Sequence, residues 1–187
     1  MSAALLQNNI KCNTLEDDRE SCLHVLTWTA LRFSKHTCLE DDLSKFMRAF
    51  DEEYETAGGV RGGVIKTAFL LGRDIPRTVK FDRRPQLDAL IKELTNTFAV
   101  RYEELPTAED LKALEYASGA NVPVSVMTNL PAFRYRKRLD NLASPNWLVD
   151  TFRHHLSDVD SWPLSDEARA QPIGIGSGKK RRGMRAS

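Results

Sequence analysis

At 187 residues, 41% hydrophobic and 28% charged, the chain is long enough to bury a real core and has ordinary folded-domain composition. No run approaches the roughly 18 apolar residues of a membrane helix and no basic-then-apolar leader opens the chain, which excludes a membrane span and argues against secretion. Net charge is +1, but Lys179, Lys180, Arg181, Arg182 and Arg185 put +5 into the last nine residues, so a body of −4 carries a basic tail.

In chain order, residues 1–13 form a stub in which Ala3, Ala4, Leu5 and Leu6 suffice for one helical turn. Thr14 to Phe33 follows, with Thr14 and Asp17 at capping-box spacing and Glu16, Asp17 and Asp18 at the positive end of a helix dipole. From Ser21 to Leu31 no residue is charged, and Cys22, Leu23, Val25, Leu26, Trp28, Ala30 and Leu31 spread around the whole circumference. A helix apolar all round predicts a central, fully buried pillar. Burying Leu23, Val25, Leu26, Trp28, Leu31 and Phe33 would contribute about 9–18 kcal/mol in gross terms, as much as the net stability of a typical domain.

Thr37 and Glu40 repeat the capping-box spacing, and Leu39, Leu43, Phe46, Met47, Phe50 and Tyr54 fall on one face of a second helix. Gly58, Gly59, Gly62 and Gly63 read as a flexible connection, and a short helix from Val64 to Leu71 stops at Gly72. Residues 73–84 read as extended. Pro85 opens a third amphipathic helix carrying Leu87, Leu90, Ile91, Leu94, Phe98 and Tyr102, and Pro106 ends it. Thr107 and Asp110 cap another helix with Leu111 and Leu114 inward, ending at Gly119. Residues 119–143 hold Pro123 and Pro131 without a sustained period and read as a long loop. Ser144 and Pro145 start a helix through Leu156 with Trp147, Leu148 and Phe152. Asp158 to Pro172 reads as a docked extension, and Ile173 to Ser187 has almost nothing to bury, predicting disorder. The expected division is residues 1–165 as a mainly α-helical body and 166–187 as a disordered basic tail.

The run LEDDRESCLHVLTWTALRF resembles the long central C-lobe helix of protein kinases, in the Asp-Asp-x-Glu-Ser form of the fungal-type protein kinase family. The opening MSAALLQ resembles the segment that follows the activation loop in that family, and WLVDTFRHHLSDVDSWPL fits its C-terminal extension. The resemblance implies a kinase C-lobe fragment, and an activity of transferring phosphate from ATP to protein Ser/Thr, with ATP and Mg as cofactors of a complete member only. It places Asp18 where a structural acid accepts hydrogen bonds from catalytic-loop amides. On the residues alone, Asp17, Asp18 and Glu20 read equally as helix-start acids meeting amides and the dipole. No glycine-rich cover, strand lysine, His-Arg-Asp loop or Asp-Phe-Gly string occurs in the chain, so no catalytic, cofactor-binding or metal-binding residue is assigned and the chain by itself is expected to be inactive.

Three cysteines, Cys12, Cys22 and Cys38, without C-x-x-C spacing point to free thiols and an intracellular location, cytoplasmic or nuclear. Cys22, His24, His36 and Cys38 lack metal-site spacing; with Cys22 and His24 on the buried helix, core thiol and loop histidine is the favoured reading, and His154 with His155 reads as a solvent-facing pair. Gly174 to Lys180 superficially resembles a phosphate loop but has Ile173 at the first glycine position and no Ser or Thr after the lysine. Lys179, Lys180, Arg181 and Arg182 fit a nuclear-import run. Arg134 to Arg138, with Tyr135 inside, reads as a surface loop rather than a nucleic-acid contact, because the body is acidic. The expected partner is a protein, or the kinase portion that precedes this one in the family. The alternative is a pseudokinase-like, non-catalytic interaction remnant that reaches the nucleus by its tail.

Overall fold

Local signals set several of the helix ends. The Thr14 N–H and hydroxyl both donate to the Asp17 carboxylate, at 3.0 and 2.8 Å, and start α2 (Leu15–Phe33). Thr107 and Asp110 do the same for α6 (Ala108–Gly119), and Pro85 occupies the first turn of α5 (Pro85–Ala99). Gly72, at φ +67°, closes α4 (Val64–Leu71) in the left-handed conformation that a side chain disfavours.

The computed structural model describes residues 1–8, 10–50, 53–56, 59–72, 79–158, 160, 162–163 and 168–171. Within them the chain is mainly helical. Besides the four elements already named, it forms α1 (Ala3–Gln7), α3 (Glu40–Phe50), α7 (Val124–Met127), α8 (Pro131–Ala143) and α9 (Trp147–Leu156). The glycine-rich connection is an antiparallel hairpin, β1 (Glu53–Thr56) with β2 (Gly59–Gly62), in the register Glu53 with Gly62 and Thr56 with Gly59. Tyr54, expected on the second helix, therefore lies in a strand. Pro131 opens α8 instead of breaking a loop, so the loop expected over 119–143 is a pair of helices, and Arg134 to Arg138 are helical. The extended stretch expected at 73–84 is described only from Val79, where Phe81 bridges to His36. The docked extension is described in part: the amides of Arg169 and Gln171 donate to the carbonyls of Phe33 and Arg32 at the end of α2. Of the tail expected to be disordered over 166–187, residues 168–171 are thus described and held against α2, while the basic run Lys179 to Arg182 lies outside the described residues.

The centre of the body is α5 rather than α2. Leu90, Leu94 and Phe98 are buried and pack with Leu23, Leu70, Val100, Leu142 and Trp147 into one core, with the Phe98 and Trp147 rings edge to face at 5.6 Å. A second core gathers Ala30, Leu31, Leu43, Phe46, Met47, Phe81 and Leu87, and Leu26, Phe69 and Ile91 touch both. The expected all-round burial of α2 is not found: Val25 is 62% exposed and Trp28 36%. Only one side of α2 meets neighbours, and that side carries Asp17, Arg19, Glu20 and His24 beside Leu23, Thr27, Ala30 and Leu31. The absence of charge between Ser21 and Leu31 therefore reflects an apolar outer face as well as an inner one. Leu39 and Leu111 also face outward, unlike Leu43 and Leu114. No helix among the described residues is long and apolar enough to cross a membrane.

Candidate functional site

The densest polar chemistry lies at the head of α2. Asp17 and Glu20 are three residues apart, so helical geometry sets them on the same inward side, and both are fully buried. A buried carboxylate must be paired and hydrogen-bonded or it protonates. Asp17 accepts from the Ser2 hydroxyl at 2.9 Å, from Thr14, from Arg101 Nη2 at 2.7 Å and from the Lys11 ammonium. Glu20 accepts from the Ala3 amide at 2.7 Å, from Arg101 Nη1 at 2.5 Å and from the Tyr102 hydroxyl at 2.7 Å. Tyr102 in turn accepts from the Ala4 amide at 3.0 Å. Two carboxylates face two cations, so the cluster is neutral in sum.

The electrostatics follow from these contacts. Burial pushes the Asp17 carboxyl up, but the hydrogen bonds from Lys11, Arg101, Thr14 and Ser2 outweigh it and hold the group well below the usual carboxylate range. Glu20 is held low in the same way, against burial, by His24, the Ala3 amide and Tyr102. Burial lowers the His24 imidazole despite the Glu20 charge. A neutral His24 with its proton on Nε2 donates to Glu20 at 3.3 Å and leaves Nδ1 as the unpartnered buried atom. Burial, and after it the Glu20 charge, raise the Tyr102 phenol out of any physiological titration.

Both carboxylates are saturated with donors, which makes the cluster a brace and not a proton-transfer site. It ties residues 2–4, 11–14, the first turns of α2 and the segment after α5 into one unit. Arg19 extends it on the far side, donating to the carbonyls of Leu142 and Pro145 at 2.8 and 2.9 Å. Asp18, the residue singled out from the sequence, faces away from all of this. It is exposed and accepts from Asn13 Nδ2 at 3.0 Å.

Arg101 and Tyr102 were missed as site residues. The available signal was their place directly after the apolar end of α5, in a chain whose other long helix opens on acids, Asp17 and Glu20 among them, that need cations if they turn inward. The remaining candidates do not converge. Cys22 is exposed on the outer side of α2 while His24 is buried on the inner one. His36 is engaged by the Leu31 carbonyl and the Cys38 amide. Among the described residues no group of three His, Cys, Asp or Glu is placed to hold a metal. His155 is not solvent-facing: it is buried, with Nε2 at 2.8 Å from Glu93.

A separate cavity of about 330 Å³ opens between α2, α3, α4 and α5. Thr27, Leu31, Phe46, Phe69 and Ile91 line it, and Lys80, Asp88 and Lys92 stand around it. Comparison of the chain with the models of known families, with curated proteins and with solved structures finds no match in any of the three.

Proposed function

We propose that the chain is the C-terminal part of a fungal-type protein kinase domain, a non-catalytic scaffold on which the catalytic loop of such a domain rests. The observation that carries this reading is the docking of MSAALLQ on the head of α2: the Ser2 hydroxyl reaches Asp17 and the Ala3 amide reaches Glu20. The resemblance gives MSAALLQ as the segment after the activation loop and α2 as the central C-lobe helix. In this reading Asp18, exposed at the same end of α2, is the acid that would accept the amides of the catalytic loop, and ATP and Mg belong to the assembled domain. Phosphate transfer from ATP to protein Ser/Thr is the activity of that whole.

The alternative, a pseudokinase-like interaction remnant, draws on the outer face of α2, where Val25 and Trp28 stand exposed. One co-expression experiment separates the two. If sequence upstream of Met1 encodes His-Arg-Asp and Asp-Phe-Gly strings, that portion should co-purify with this chain and gain phosphotransfer to casein, and Asp18→Ala should abolish the gain. A transcript that starts at Met1 with no such strings upstream would overturn the kinase reading in favour of the remnant.

A further inference from the structure

The cavity between α2 and α5 has a mostly apolar lining broken by two polar groups. Leu31, Phe46, Phe69, Phe81 and Ile91 make it apolar, yet the hydroxyls of Thr27 and Thr95, both on its lining, are buried with no hydrogen-bond partner. Thr27 is only 3% exposed. Buried hydroxyls are ordinarily paired, and a pair of orphans in one cavity calls for polar atoms supplied from outside the chain. The volume is at the lower end of small-molecule sites, which run from about 300 Å³.

The surrounding charge narrows the ligand. Asp88 is occupied, accepting from the Phe81 amide at 3.0 Å and paired with Lys80 at 3.6 Å. Lys92, exposed and on the same side of α5 as Thr95 one turn away, has no ion pair among the described residues. The two lysines and one aspartate give this region a charge of +1. We propose that the cavity binds a small hydroxylated aromatic carboxylate of about naphthalene size. Its ring lies among Phe46, Phe69 and Phe81, its carboxylate meets Lys92 and the Thr95 hydroxyl, and its far hydroxyl meets Thr27. This site is independent of the kinase reading, since it shares no residue with the head of α2.

The test is calorimetric titration of the full chain with 6-hydroxy-2-naphthoate, alongside its neutral amide. One equivalent of the acid should bind, and Lys92→Gln should weaken the acid about tenfold while leaving the amide unchanged, the size of a lost charge-assisted hydrogen bond. Thr27→Val should weaken both probes yet raise the melting temperature of the ligand-free chain, because it removes an unpaired buried hydroxyl. That opposite movement marks the hydroxyl as a ligand contact and not a packing group. Thr95→Phe should fill the cavity and abolish binding. Failure of the folded wild-type chain to bind millimolar probe, or binding that survives both Lys92→Gln and Thr95→Phe, would overturn the proposal.

Discussion

Arg101 holds Asp17 and Glu20 at once, with Nη2 at 2.7 Å from the first and Nη1 at 2.5 Å from the second. One guanidinium thus joins two carboxylates that are fully buried, across more than 80 residues of sequence. Removing it leaves both anions without that partner in a dry site, which is costlier than losing the attraction itself. Arg101→Met, which keeps the stem packing, should lower unfolding stability by about 3–5 kcal/mol. Urea denaturation reads this directly; a loss under 1 kcal/mol would mean the cluster is open to water.

The same cluster predicts a two-step acid profile. The folded pKa of His24 lies below its unfolded value, so the unfolded chain takes up a proton first, and stability falls as pH drops through about 6.5. Asp17 and Glu20 are also depressed. Their contribution is complete above the unfolded carboxylate range, about pH 4–5, and is lost as pH falls further through their folded values. His24→Gln, subtracted from wild type, should remove the upper step and spare the lower one. An unchanged upper step would assign it to another group.

Position along α2 should decide the cost of truncation in a way the residue type does not. Leu23 is fully buried in the core with Leu94 and Phe98, whereas Val25, two residues on, stands in solvent. Leu23→Ala should cost about 2–5 kcal/mol and Val25→Ala within about 0.5 kcal/mol. Equal, large losses at both would restore the picture of a helix surrounded on every side.

That contrast marks what was legible. Helix ends governed by neighbours in sequence were readable: Thr14 with Asp17, Thr107 with Asp110, Pro85, and Gly72 act within three or four residues. Periodicity found α5, whose Leu87, Leu90, Leu94 and Phe98 are buried as spaced. It failed on α2, because an uncharged outer face carrying Cys22, Val25 and Trp28 looks the same in sequence as a buried one. Pro131 was misleading for a related reason, since a proline that begins a helix and one that breaks a loop are the same letter. The site was half legible. The acids at the head of α2 stood out, but which of them turn inward is set by Arg101, Tyr102 and Ser2, groups far away in sequence, and Asp18 proved the outward one.

A close backbone approach lies beside that head. Gly63 sits at φ +82°, between β2 and α4, and a Cβ built there would stand 2.8 Å from the Ala3 carbonyl oxygen and 3.0 Å from Leu6 Cβ. Both obstacles belong to α1, whose Ala3 amide is the donor to Glu20. α1 is further held to this corner by Gln7 Nε2, 2.8 Å from the Thr67 hydroxyl. Gly63→Ala therefore adds left-handed strain to a backbone clash that only a shift of α1 can relieve, and the shift pulls Ala3 from Glu20. The expected loss is about 2 kcal/mol or more, with faster amide exchange at Ala3 and Ala4 than at core sites such as Leu94. Wild-type exchange at Ala3 in a folded Gly63→Ala chain would show that α1 is not wedged against this glycine.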